Sequence, residues 1–124
     1  MSVPILIADD EPNILVSLEF LMKREGYVVH LARDGEEALA VLRRERPRLV
    51  LLDVMMPKKT GFEVCQEIRH DESIKDTLIL MLTAKGRETD VVKGLALGAN
   101  AYMTKPFSTR ELVQKVHALL ESGG

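Results

Sequence analysis

No stretch of the 124-residue chain comes near the roughly 20 consecutive apolar residues that a membrane-spanning helix needs. Cysteine is almost missing. Cys65 stands alone, which excludes an internal disulfide and fits a reducing compartment; its expected role is that of a small, partly buried hydrophobe on a helix. An excess of basic residues is also lacking, since 17 Lys and Arg against 19 Asp and Glu leave a net charge of -2. General nucleic-acid binders and membrane-surface binders need a basic face, so neither a direct nucleic-acid partner nor a membrane partner is expected. The N-terminus has no basic segment leading into an apolar one, so no secretory signal is expected, and the expected location is the cytoplasm. Repeats, low-complexity tracts and linkers are missing before Ser122-Gly123-Gly124. Residues 1–124 read as a single domain, with 119–124 forming the end of the last helix and a tail.

What is present is a globular balance, 46% hydrophobic and 29% charged, in a chain long enough to bury a core. The run Leu49-Val50-Leu51-Leu52-Asp53 is the centre of the pattern. Four apolar residues closed by a turn signal read as a strand buried on both faces, as a parallel sheet requires. Val3–Ala8, Tyr27–Ala32, Thr77–Leu82 and Ala101–Thr104 read as four more strands. Between them apolar residues recur at helical spacing: Ile14, Leu15, Leu18, Leu21 and Met22; Ala38, Leu39 and Leu42; Phe62, Val64, Cys65 and Ile68; Val91, Val92, Leu95 and Ala96; Leu112, Val113, Val116, Leu119 and Leu120. Pro12 suits a first helical turn, Gly26 and Gly98 suit left-handed helix ends, and Ser108 or Thr109 suits the cap of the last helix. Five strands alternating with five helices imply right-handed crossovers and an α/β fold, a parallel sheet covered on both faces.

Four of the strands end on polar side chains: Asp9-Asp10, Asp53, Thr83 and Lys105. Taken singly, each has an ordinary reading as a helix cap, a turn hydroxyl or a solvated lysine. In a parallel sheet, however, these ends share one edge, where open α/β folds place their ligands. Three carboxylates brought together raise one another's pKa unless a cation intervenes. A hard divalent cation with oxygen ligands, such as Mg²⁺, fits that set. Lys105 adds a positive charge and Thr83 a hydroxyl donor, so the group reads as a phosphoryl site. A carboxylate can itself be the nucleophile and form an acyl phosphate. His30, His70 and His117 are not placed to act as bases.

The segments Ile7-Ala8-Asp9-Asp10-Glu11, Leu51–Pro57, Gly61-Phe62-Glu63, Leu82-Thr83-Ala84 and Lys105-Pro106-Phe107, in this order, resemble the receiver domain of two-component response regulators over nearly the whole chain. The resemblance implies a doubly wound, flavodoxin-like (βα)5 fold with strand order 2-1-3-4-5. It implies that Asp53 accepts a phosphoryl group from the histidine of a sensor kinase or phosphotransfer protein. Mg²⁺ would be bound by Asp10, Asp53 and the Met55 carbonyl, with Asp9 acting through water. Lys105 would pair with the phosphate and its bond to Pro106 would be cis, Thr83 would swing onto a phosphoryl oxygen, and Tyr102 would move inward behind it. Ala84 leaves the phosphate reachable, and Met55 and Lys85 flank the site. The fourth helix, fifth strand and last helix would then form a switching face for a downstream effector or output domain.

That face is also expected to support a homodimer. Receivers of winged-helix transcription regulators usually carry acids after the Gly-Ala before the fifth strand, whereas Asn100 and Ala101 stand here. Two other functions compete with this one. A Mg²⁺-dependent aspartyl phosphohydrolase generally needs an acid two residues after its nucleophile, and Met55 occupies that position. A phosphate-independent interaction module tends to lose the acids, the threonine or the lysine, and all are retained. The expected function is therefore phosphorelay signalling, in which the domain catalyses only its own phosphorylation and dephosphorylation.

Overall fold

The computed structural model describes residues 2–84 and 86–122. The chain alternates as β1 (Pro4–Ala8), α1 (Pro12–Arg24), β2 (Val28–Ala32), α2 (Gly35–Glu45), β3 (Leu49–Asp53), α3 (Gly61–His70), β4 (Leu78–Ala84), α4 (Glu88–Ala96), β5 (Ala101–Lys105) and α5 (Thr109–Ser122). The strands form one parallel sheet in the order β2-β1-β3-β4-β5. The doubly wound fold and its strand order are as expected.

Alternation along the buried strands divides the core into two layers. Leu6, Ala8, Val50, Leu52, Ile79 and Met81 face one way and pack with Leu39 and Leu42 of α2 and Val64, Cys65 and Ile68 of α3. Ile5, Ile7, Leu49, Leu51, Leu80 and Leu82 face the other way, toward Leu15, Leu18 and Met22 of α1 and Leu112, Val116 and Leu120 of α5. Every residue of β3 is buried, while β2 at the sheet edge is largely half-covered. Cys65 is fully buried rather than partly so.

Local chemistry sets the element ends. At α1, Gly26 takes a φ of 92°, Tyr27 N–H bonds to Met22 C=O, and Gly26 N–H bonds to Lys23 C=O, which is the Schellman arrangement. Tyr27 is thereby used to close the helix, and the second strand starts one residue later than expected. The same pattern closes α4: Gly98 has a φ of 114°, and Ala99 N–H reaches Gly94 C=O. Thr77 lies in a turn, its N–H bonded to Ile74 C=O, so β4 starts at Leu78 and runs on through Thr83 to Ala84. Ser108 caps α5 by accepting from Glu111 N–H. Asp34 caps α2 by accepting from Glu37 N–H. Thr60 and Glu63 form a capping box at α3 that sequence reading missed. The Lys105–Pro106 bond is cis.

Candidate functional site

Strand register brings the polar strand ends together. Ala8 pairs with Leu52, Asp53 with Leu82, and Ala84 with Lys105. Asp9, one residue beyond β1, therefore lies beside the end of β3, and its carboxylate stands on the same edge as Asp53. Asp9, Asp10 and Asp53 each offer an oxygen, all within 4.8 Å of one another. Asp9 is buried, Asp10 is exposed, and Asp53 is 6% exposed. Asp9 is further fixed because its Oδ1 accepts from Glu11 N–H at 3.0 Å.

Lys105 reaches into this cluster. Its Nζ donates to Asp9 Oδ2 at 2.8 Å and to Asp53 Oδ1 at 3.2 Å, and lies 3.7 Å from Glu11 Oε1. Burial pulls the Lys105 ammonium down, but the hydrogen bond to Asp9 and the charges of Asp53 and Asp9 outweigh it, so the pKa ends above its ordinary value. The lysine stays charged. Asp53 behaves in the opposite way. Burial, and then the neighbouring Asp9 charge, push its carboxyl up to about 7, with Lys105 only partly offsetting them. An oxygen-only donor set with too little positive charge to keep every acid ionised suits a hard divalent cation.

Asp10, Asp53, Met55 and Lys105 line one cavity of about 280 Å³, together with Arg87 and Asp90. The loop carrying Met55 is held from both sides, with Gly61 N–H bonded to Val54 C=O and Gly35 N–H to Pro57 C=O. Thr83 lies apart from this hydrogen-bonded group. Thr83 is 2% exposed, and its Oγ1 is a buried atom without a hydrogen-bond partner among the described residues. Thr83 lines a second cleft of about 290 Å³ with Tyr102, whose ring is exposed rather than turned inward. Lys85 lies outside the described residues. Of the histidines, His117 bonds to Tyr27 Oη at 2.7 Å, His30 lies 3.9 Å from Glu45, and His70 meets the Gln66 carbonyl.

Sequence reading does not single out Glu11 as a partner of Lys105, nor Arg87 and Asp90 as cavity residues. Glu11 sits within the Asp9-Asp10-Glu11 motif, so a signal existed. Arg87 and Asp90 follow β4 by three and six residues, and tertiary packing rather than any sequence pattern sets them beside Asp53.

This is a doubly wound α/β domain whose switch edge carries an acidic, lysine-bridged pocket. Residues 5–117 match the response regulator receiver domain family, and the chain belongs to that family. It is thus a two-component signalling domain of the kind controlled by phosphorylation of an aspartate. It is 50% identical over 120 residues to the alkaline phosphatase synthesis transcriptional regulatory protein PhoP of Bacillus subtilis, covering 97% of this chain and 49% of that protein. The chain therefore spans about half the length of this curated relative. Among solved structures, a putative response regulator from Chloroflexus aurantiacus superposes with a TM-score of 0.94 at 36% identity, over 98% of this chain and 99% of that one. The chemotaxis response regulator CheY4 of Vibrio cholerae gives a TM-score of 0.90 at 33% identity, over 96% and 99% respectively. Receiver domains generally bind Mg²⁺ at an acidic pocket, and the Asp9, Asp10 and Asp53 cluster has the donor chemistry for it. Among the described residues, no helix is long and apolar enough to cross a membrane.

Proposed function

We propose that residues 1–124 form one receiver domain in which Asp53 accepts the phosphoryl group. The observation that carries this reading is the Lys105 bridge between Asp9 and Asp53, inside a cavity where Asp53 is nearly buried yet open to a ligand. Asp53 Oδ attacks phosphorus as the P–N bond to a phosphohistidine of a sensor kinase or phosphotransfer protein breaks, leaving an acyl phosphate and a neutral imidazole once the ring nitrogen takes a proton. Asp10, Asp53 and the Met55 carbonyl would hold Mg²⁺, with Asp9 supporting through water. When bound, the ion neutralises charge on the transferring oxygens. Lys105 supplies a fixed positive charge to the phosphoryl group, and the unpartnered hydroxyl of Thr83 has a hydrogen to give it. Satisfying that hydroxyl favours an arrangement with Thr83 drawn inward and Tyr102 following, a shift between two populations.

The shift alters the face made by α4, β5 and α5, which would engage a downstream effector or output domain, or a second copy of the chain. Turnover as a phosphohydrolase is disfavoured, because the residue two beyond Asp53 is the exposed Met55 rather than an acid. The domain would act catalytically only on its own phosphorylation and dephosphorylation. The test is intact mass after incubation with acetyl phosphate. A Mg²⁺-dependent gain of one phosphoryl group in the wild type, absent in Asp53→Asn, is expected. No gain under any condition would leave a phosphate-independent interaction module.

A further inference from the structure

Lys105 is not the only cation at the acceptor cavity. Arg87, the residue at the N-terminal cap of α4, lines the same cavity as Asp53. Its guanidinium is held by one carboxylate, with Nε 3.1 Å from Asp90 Oδ2 and Nη2 3.4 Å from Asp90 Oδ1. The two partners are unequally placed: the Arg87 side chain is 51% exposed and that of Asp90 only 12%. An ion pair with one partner in solvent is weak and screened by salt. Asp90 also lies in the first turn of α4, where the helix end favours negative charge. It keeps that support when the arginine leaves, so the arginine is easy to release.

Lys105, in contrast, is already shared by Asp9, Asp53 and Glu11. A phosphoryl group on Asp53 adds about -1.5 to -2 charge and three acceptor oxygens, more than the single ammonium of Lys105 can meet while it also bonds Asp9. A planar guanidinium can meet two such oxygens at once. Building on the reading of Asp53 as the acceptor, we propose that Arg87 is a phosphoryl-binding residue, held by Asp90 in the unphosphorylated protein and passed to the oxygens of phospho-Asp53. No covalent bond changes in this exchange; one ion pair replaces another. Arg87 also lines the cleft shared by Thr83 and Tyr102, so the exchange draws on the same end of α4 that the Thr83 movement would affect.

The test uses beryllofluoride with Mg²⁺ as a phosphoryl mimic, titrated calorimetrically into wild type, Arg87→Ala, Arg87→Lys and Asp90→Asn, beside the acetyl phosphate mass measurement. Arg87→Ala is expected to weaken beryllofluoride binding about ten-fold, the size of one charge-assisted hydrogen bond. Arg87→Lys should recover part of that loss, and Asp90→Asn should bind at least as tightly as wild type. Arg87→Ala binding within about two-fold of wild type, or Asp90→Asn weakening binding as much as Arg87→Ala, would overturn the proposal and leave the pair as a brace of α4. A wild type that gains a phosphoryl group while Arg87→Ala binds normally refutes the arginine role alone. A wild type that neither binds beryllofluoride nor gains a phosphoryl group refutes the acceptor reading beneath it.

Discussion

Asp53 is held in the folded chain at an energetic disadvantage. Burial first, and then the Asp9 charge, raise its pKa from 3.8 to about 7 against the pull of Lys105. A carboxyl whose folded pKa lies above its unfolded one costs stability wherever the unfolded chain holds it ionised. The cost is absent below about pH 4, grows between pH 4 and 7, and is complete above pH 7. Replacing Asp53 by its neutral isostere removes the cost. In the absence of Mg²⁺, Asp53→Asn should therefore unfold at higher urea than wild type at pH 8. The gain is up to roughly 4 kcal/mol, because each tenfold change in the acid's ionisation constant is worth about 1.4 kcal/mol. The advantage should vanish at pH 4. Equal stability at both pH values would mean that Lys105 compensates the acid fully. Asp9, Asp10, Asp53 and Lys105 were legible in the sequence because strand ends of a parallel sheet converge whatever their loops do. The orphaned Thr83 hydroxyl and the outward Tyr102 were not, because those depend on rotamers rather than on pattern.

Among the elements, the β3–α3 connection bears directly on the position of Asp53. Gly61 begins α3 against the end of β3, and a Cβ there would stand 2.4 Å from the Asp53 carbonyl oxygen and 2.9 Å from Val54 Cα. Both obstacles are backbone, so the strand end itself must move. Gly61→Ala is expected to destabilise the domain by about 1–3 kcal/mol through overpacking, and to weaken beryllofluoride binding because the displaced backbone carries Asp53. Urea unfolding and calorimetry together check this; an alanine variant with wild-type values for both would show that the helix start can slide freely. The sequence showed Gly61 only as part of the Gly61-Phe62-Glu63 segment and could not reveal what it touches. It read all five strands and all five helices from apolar periodicity, and misjudged the places where a turn consumes a residue of strand character. Tyr27 completes the Schellman end of α1, and Thr77 serves the turn before β4. A hydrogen bond to the preceding helix or turn outweighed β propensity at both.

For the molecule as a whole, the face of α4, β5 and α5 is the one proposed to meet a partner. Val92 and Leu95 on α4 and Tyr102 on β5 are exposed there. The Asn100 side chain is engaged within the fold. Its Oδ1 accepts from Ile79 N–H at 2.8 Å and from Arg69 Nη2 at 2.9 Å. The same arginine donates to the carbonyls of Gly98, Lys75 and Thr77, tying α3 to the loops before β4 and β5. Asn100 is therefore occupied in bracing the fold, and Ala101 carries no charge, so the two positions where related transcription regulators present acids offer no ion pairs to a second copy. The self-association proposed for this face would rest chiefly on apolar burial, which salt does not screen. Sedimentation with beryllofluoride and Mg²⁺ should accordingly show a dimer whose affinity changes less than about two-fold between low and physiological salt, and Val92→Asp should abolish it while leaving beryllofluoride binding intact. A dimer that weakens steeply with added salt would mean that ion pairs between other charges, such as Lys115 and Glu111, carry the contact instead.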